Sequence, residues 1–320
     1  MKIVMLDSST VGEDMDLDRF SRLGEFVKYA TSTPDEARQR LASDDVEVVI
    51  ANKVPLNEYT LGEAKGLKLI CITATGYNNV DLGYTKSRGI TVTNVAGYST
   101  YSVVQHTFAM LFYLMEKLSY YDEFVKSEQY VDYPMFCHFS NVFHELRGMT
   151  WGIIGLGNIG REVAAVAKAF GCDVIYYSTS GHNSNSDYQR VEFEELLERS
   201  DIISIHAPLN ANTKGLINFE ALSRMKKSAI LINVGRGPII NEADLAKALE
   251  NDEIAAAGLD VLETEPMKAD NPLRTIKDST KLLITPHIAW ATCEARKRLL
   301  DDVYRNIVSY YNGEKRNTVE

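Results

Sequence analysis

No apolar stretch of this chain approaches the roughly 20 residues that a membrane-spanning helix requires, which argues against a membrane protein. Positive charge is also in short supply. Lys and Arg number 34 against 44 Asp and Glu, a formal net charge of −10, whereas binding a phosphate backbone needs a basic face. No nucleic-acid partner is expected. Cysteine is sparse: Cys71, Cys137, Cys172 and Cys293 are scattered, with no C-x-x-C pair and no histidine at zinc spacing. No metal site follows from such a set, and these side chains read as small thiols of a reduced compartment, the cytoplasm. No signal peptide is expected, since Lys2-Ile3-Val4-Met5-Leu6 reads as a short strand that stops at Asp7. Internal repeats and low-complexity segments are absent as well.

What is present is an ordinary globular composition, 45% hydrophobic and 24% charged, over 320 residues. That length exceeds what one hydrophobic core usually serves, so two domains are expected. In the first part, Ile3–Leu6, Val46–Ala51, Leu67–Thr73 and Thr91–Val95 read as strands alternating with helical patterns, which implies parallel pairing with crossover helices. A helical pattern from Ser102 to Lys117, carrying Val103, Val104, Phe108, Leu111 and Leu114, would link the domains. His106 lies on it and reads as packed there. Residues 120–147 are rich in aromatics and irregular, and such a segment buries either against another subunit, as a dimerisation segment, or on its own domain. Its His138 and His144 show no partners in the sequence. Ala289–Tyr311 reads as a helix returning to the first domain. The expected fold class is α/β: two Rossmann-like, doubly wound parallel-sheet domains. The smaller is discontinuous, residues 1–98 with 290–320, and residues 99–289 form the dinucleotide-binding domain.

Six apolar runs order the larger domain, and potentially reactive residues follow each of them. Trp151–Ile154 leads into Gly155-Leu156-Gly157-Asn158-Ile159-Gly160 and a helical pattern from Arg161. Val174–Tyr177 ends at Ser178, Ile202–Ile205 at His206-Ala207-Pro208, and Ile230–Ile232 at Asn233-Val234-Gly235-Arg236-Gly237. Ala255–Leu259 ends at Asp260, and Leu282–Ile284 at Thr285-Pro286-His287. Open parallel sheets bind ligands outside the carboxyl ends of their strands, so this chemistry faces one crevice. A Gly-x-Gly-x-x-Gly alone marks many turns. Between a strand and a helix it marks a dinucleotide site, where the glycines permit the turn, the approach of the pyrophosphate and close packing. The helix N-terminus then offers N–H groups and partial positive charge to the phosphates. An acid that would bind the ribose 2′-hydroxyl of NAD belongs at the end of the second strand. Here the chain reads Ser178-Thr179-Ser180-Gly181-His182, with no carboxylate and no Arg or Lys close by. The choice between NAD(H) and NADP(H) stays open.

His206-Ala207-Pro208-Leu209, Thr213-Lys214-Gly215-Leu216-Ile217-Asn218, Leu231–Glu242, Gly258-Leu259-Asp260-Val261, Glu263-Thr264-Glu265-Pro266 and Thr285–Trp290 together resemble the D-isomer-specific 2-hydroxyacid dehydrogenases. The resemblance covers essentially the whole chain. Ala96-Gly97-Tyr98-Ser99 and the ending His287-Ile288-Ala289-Trp290 look most like the glycerate dehydrogenases, or hydroxypyruvate reductases. Reducing a 2-keto acid needs a cation for the carboxylate, a proton donor for the carbonyl oxygen, and a hydride. Arg236 suits the first task, since a guanidinium grips a carboxylate with two hydrogen bonds. His287 suits the second. Glu265 would orient that imidazole and favour its protonated form, and the nicotinamide supplies the hydride. Each of these three alone would be an ordinary loop residue; together, after consecutive strands, they read as a site. Cofactor contacts are expected at Gly155, Gly157, Asn158, Ile159, Gly160, Ser178, Thr179, His206, Ala207, Pro208, Thr213, Val234, Gly235 and Asp260. The resemblance puts Asp260 near the carboxamide and the backbone N–H groups of Thr75 and Gly76 on the substrate carboxylate. It implies action on a small 2-keto or 2-hydroxy acid; a homodimer is expected from the aromatic segment, and a crevice between two domains is expected to close on the cofactor.

Several alternatives stay open. Phenylpyruvate or pyruvate would use the same chemistry. Formate dehydrogenases, which carry Gln in place of Glu265, and phosphoglycerate dehydrogenases, which often carry an added domain, are disfavoured. A non-catalytic, NAD-sensing protein like the co-repressors related to this family is the remaining alternative.

Overall fold

Parallel strands covered on both faces read in a sequence as unbroken apolar runs, and two sheets of this chain are built from such runs. A computed structural model describes residues 1–182 and 184–319. The chain divides into two units, Met1–Ser99 with Ala291–Glu320, and Thr100–Trp290.

In the first unit, β1 (Lys2–Met5), β2 (Glu25–Lys28), β3 (Val46–Ala51), β4 (Leu69–Ile72) and β5 (Thr91–Thr93) pair in parallel in the order β5-β4-β3-β1-β2. The strand Thr318–Val319 adds antiparallel to β5. All four residues of β4 are buried, which is why the run was visible. The edge strand β2 was not, because Glu25-Phe26-Val27-Lys28 has only Phe26 and Val27 to bury. Where β1 ends, the buried Asp7 carboxylate accepts the N–H groups of Asn52 and Lys53, at 3.0 and 2.7 Å, and so closes the carboxyl end of β3. The helix Cys293–Tyr311 starts at Thr292, whose hydroxyl accepts the Ala295 N–H. Near its end Asn306, 1% exposed, donates through Nδ2 to the Asn94 carbonyl at 3.1 Å and accepts from Asn317 Nδ2 at 3.0 Å.

In the second unit β6 (Thr150–Ile154), β7 (Asp173–Tyr177), β8 (Gln189–Arg190), β9 (Ile202–Ile205), β10 (Ile230–Asn233), β11 (Ala256–Leu259) and β12 (Leu282–Ile284) form one parallel sheet, ordered β12-β11-β10-β9-β6-β7-β8. In both sheets the order reverses once, beside β1 and beside β6, the doubly wound arrangement that leaves a crevice at the carboxyl ends. Helices Thr100–Met115 and Asn158–Ala169 fill one face with Trp151 and Tyr176. Helices Phe193–Arg199, Phe219–Arg224 and Glu242–Glu250 fill the other. The two-residue β8 was not legible, being polar and at an edge.

Within the aromatic segment the rings of Tyr120, Phe124 and His138 pack on one another. Contrary to the sequence reading, His138 has partners: it stacks on Phe124 at 3.9 Å and bonds the hydroxyls of Tyr120 and Tyr133 at 2.8 and 2.9 Å. Its neighbours face outward, Phe136 being 91% and Phe139 72% exposed. Among the described residues no helix is long and apolar enough to cross a membrane.

Replacing Asn306 by Ala leaves the Asn94 carbonyl and the Asn317 amide unpaired. Stability should fall by about 1–3 kcal/mol, seen as a lower midpoint in urea unfolding followed by far-ultraviolet circular dichroism.

Candidate active site

The turn after β6 shows a separate need at each glycine. Gly155 has φ +93°, and a Cβ there would lie 2.8 Å from the Ala207 nitrogen. A Cβ at Gly160 would sit 2.3 Å from the Gly155 carbonyl oxygen, so the helix Asn158–Ala169 packs directly on the turn that precedes it. Gly157 is different: a Cβ there would meet nothing within 4 Å. Gly157 also begins the helix without any side-chain cap. Open space over an uncapped helix N-terminus, with Asn158 and Ile159 in its first turn, is where a pyrophosphate fits.

Polar groups without partners flank this turn on the neighbouring strands. Ser178, after β7, is 3% exposed, and its Oγ has no hydrogen-bond partner among the described residues. Thr179 follows, half-buried. After β9, His206 Nε2 lies 3.0 Å from Ser204 Oγ, which already accepts the Trp151 indole N–H at 2.9 Å. Burial pulls the imidazole pKa down to about 3, so His206 is neutral, and its buried Nδ1 has no partner among the described residues. Thr213, fully buried, donates through Oγ1 to the Pro208 carbonyl at 2.7 Å and accepts from Asn210 N–H at 2.8 Å. It shapes the Ala207–Pro208 loop, which presses on Gly155. A dinucleotide therefore fits these residues: the turn is open, and two buried polar atoms beside it await partners. One sequence expectation changes here. A cation does lie near the Ser178 loop, because β8 places Arg190 Nη1 2.9 Å from the Gly181 carbonyl.

The loops after β10, β11 and β12 carry the arginine, the acid and the imidazole. Asn233 ends β10 fully buried and clips the arginine loop on two sides, accepting the Gly235 N–H at 3.0 Å and donating to the Arg236 carbonyl at 3.1 Å. Val234, between them, is buried. Arg236 is exposed and has no carboxylate partner among the described residues; Nη1 donates to the Gly235 carbonyl at 2.8 Å. The next residue, Gly237, abuts the acid loop so closely that a Cβ would lie 1.9 Å from the Leu262 carbonyl oxygen. Glu265 Oε1 accepts the Leu262 N–H at 3.0 Å, and Oε2 lies 2.7 Å from His287 Nδ1. Both side chains are about one-third exposed. With Nδ1 taken by the carboxylate, Nε2 of the same ring is the nitrogen left for proton transfer.

Asp260 organises the imidazole from below. At 1% exposure, its Oδ1 accepts from Thr285 Oγ1 at 2.6 Å and Ile288 N–H at 2.8 Å, and its Oδ2 accepts from Ala289 N–H at 2.8 Å. His287 N–H donates to the Asp260 carbonyl at 2.8 Å. The carboxylate thus holds both sides of His287. His106 is more than packing, since Nε2 lies 3.0 Å from Thr285 Oγ1 and 3.5 Å from Asp260 Oδ1.

Glu242 escaped the sequence reading altogether. It is 5% exposed, and its Oε1 accepts the Glu263 N–H at 2.6 Å while Oε2 accepts from Asn271 Nδ2 at 2.6 Å. Its own N–H donates to Glu263 Oε1 at 2.9 Å. Burial pushes the Glu242 carboxyl above the usual carboxylate range. A glutamate in the first turn of a helix reads as a partner for the helix dipole, so nothing local disclosed the long-range pairing. In the first unit, Thr75 and Gly76 follow β4; Thr75 Oγ1 donates to the Val95 carbonyl at 3.0 Å. Neither of their N–H groups has an acceptor among the described residues.

Residues 108–289 match the family model described as D-isomer specific 2-hydroxyacid dehydrogenase, NAD binding domain. A hydroxypyruvate reductase of Blautia hydrogenotrophica is 37% identical over 323 residues, covering 100% of this chain and 99% of that protein. A glycerate dehydrogenase of Methylorubrum extorquens is 36% identical over 320 residues, covering 100% and 99%. Among solved structures, the acyclic imino acid reductase Bsp5 in complex with NADPH and D-Arg is 30% identical, with TM-score 0.87 over 100% of both chains. The D-lactate dehydrogenase of Aquifex aeolicus complexed with NAD and lactic acid is 28% identical, with TM-score 0.84 over 98% of this chain and 96% of that one.

Substituting Glu242 by Ala releases the loop that carries Glu265. Its kcat should fall by roughly 10- to 100-fold, the scale of a reacting group misplaced by about an ångström. Dinucleotide affinity, followed by fluorescence titration, should stay unchanged.

Proposed function

The chain belongs to the D-isomer specific 2-hydroxyacid dehydrogenase family, and from that premise we propose that it reduces a small 2-keto acid, of the hydroxypyruvate or glyoxylate kind, to the D-2-hydroxy acid. The observation that carries this reading is the 2.7 Å contact between Glu265 Oε2 and His287 Nδ1, beside an arginine loop seated directly on the acid loop. A bound nicotinamide cofactor, NAD(H) or NADP(H), would supply the hydride to the carbonyl carbon. Gly155, Gly157 and Gly160, with the helix start at Asn158 and Ile159, would hold its pyrophosphate. Ser178 and Thr179 would face the adenosine ribose, with His206, Ala207, Pro208, Thr213, Val234 and Gly235 lining the site from the next strands.

The substrate carboxylate goes to Arg236, whose guanidinium is free to make two hydrogen bonds. The backbone N–H groups of Thr75 and Gly76 are donors without an acceptor among the described residues. His287 would donate a proton from Nε2 to the carbonyl oxygen as the carbonyl carbon is reduced, while Glu265 holds the ring through Nδ1. Asp260 holds that ring in place through its backbone, and its role toward the carboxamide belongs to the same proposal.

The names of the relatives support a small substrate. The exposed Phe136, Phe139 and Val142 favour a homodimer closed over residues 120–147, and four free cysteines favour the cytoplasm. The acidic net charge supports a small-molecule partner in place of nucleic acid.

Oxidation of reduced cofactor, measured with hydroxypyruvate, glyoxylate, phenylpyruvate and pyruvate, should be fastest with one of the first two; no turnover with any of the four would refute the proposal. His287→Gln should lower kcat by about 10²–10⁴-fold without weakening the cofactor. Phe139→Asp should halve the mass seen by sedimentation velocity, and an unchanged mass would place the dimer contact elsewhere.

A further inference from the structure

Family membership leaves the adenosine end of the cofactor undecided, and the residues around it point one way. Sites for NAD put a carboxylate at the end of the second strand to bind the ribose 2′-hydroxyl, whereas an arginine nearby accommodates a 2′-phosphate. In this sheet that strand is β7, and Ser178 stands at its end. From Ser178 to Arg190 the single acid is Asp187, and it forms no ion pair with Arg190 among the described residues.

Three observations converge at that strand end. Ser178 is 3% exposed and its Oγ lacks a partner among the described residues. That is an oriented, buried donor of the sort a phosphate or hydroxyl would satisfy. The chain then turns back, with the Gly181 N–H donating to the Ser178 carbonyl at 3.1 Å. Finally, β8 pairs in parallel with β7, Arg190 opposite Tyr176. Paired residues of neighbouring strands project on the same side of a sheet, so Arg190 projects on the side of Tyr176. Its Nη1 donates to the Gly181 carbonyl at 2.9 Å, which ties the guanidinium to the turn. A guanidinium has five N–H donors, so this bond leaves the others for a ligand. Arg190 is exposed and has no carboxylate partner among the described residues.

We propose that this site takes the 2′-phosphorylated cofactor, NADP(H), in preference to NAD(H), and that Arg190 is the specificity-determining residue that binds the 2′-phosphate. The Ser178 and Thr179 hydroxyls donate to the same group. This rests on the nicotinamide-cofactor reading above, and it adds which nucleotide and which residue.

Calorimetric titration with 5′-AMP and with adenosine 2′,5′-bisphosphate isolates the 2′-phosphate from the redox chemistry. The wild-type protein should bind the bisphosphate more tightly by roughly tenfold or more, the size of one charge-assisted hydrogen bond. Arg190→Gln should abolish most of that advantage and leave 5′-AMP affinity as it was, which also shows that the variant is folded. Arg190→Lys should restore part of it. Equal affinity of the wild-type protein for both nucleotides overturns the proposal while leaving the family reading intact. So does an equal loss of both in Arg190→Gln. If neither nucleotide binds the wild-type protein, the nicotinamide-cofactor reading fails and this proposal fails with it.

Discussion

A buried carboxylate, that of Asp260, sets the geometry of the loop that carries His287. His287 has φ +56°, in the left-handed region, where a side chain other than glycine costs about 1–3 kcal/mol. That conformation persists because Asp260 fastens the backbone on either side of it, through Thr285, Ile288 and Ala289. The consequence is directional. Held in this way, the imidazole turns Nδ1 to Glu265, with Nε2 on the opposite edge of the ring. Without Asp260 the ring would relax toward an ordinary turn, and its pairing with the glutamate would loosen.

The acid is positioned with the same economy of contacts. Glu265 sits on a loop whose own N–H, from Leu262, holds one carboxylate oxygen. That loop is braced from one side by Gly237, where no side chain can fit, and from the other by Glu242. Arginine, acid and imidazole are therefore mechanically linked through backbone contacts. Arg236 extends from this framework exposed, with no carboxylate partner among the described residues.

Much of the fold was legible because buried parallel strands write themselves as apolar runs; Ile202–Ile205 and Leu282–Ile284 are the same residues in the sequence reading and in the sheet. The strands that escaped, Glu25–Lys28 and Gln189–Arg190, are short edge strands with little to bury. The sequence also put Glu265 and His287 after consecutive apolar runs, and the structure brings their side chains to 2.7 Å. What stayed hidden were pairings between distant polar residues. Glu242 reaches Glu263 and Asn271, and His106 reaches Thr285, across separations that carry no periodic or local signal. Arg190 belongs to the same class, because only the pairing of β8 brings it to the Ser178 turn. His138 was misjudged for a related reason, its partners Tyr120 and Tyr133 being part of a segment with no regular period.

The central claim is that Glu265 sets the orientation of the His287 ring through the 2.7 Å contact between its Oε2 and Nδ1. The direct measurement is steady-state keto-acid reduction by the wild-type enzyme and by Glu265→Ala, with dinucleotide affinity followed by fluorescence titration. In the variant kcat should fall by about 100-fold, the scale of a misplaced reacting group, while dinucleotide affinity stays unchanged. An unchanged kcat would contradict the account.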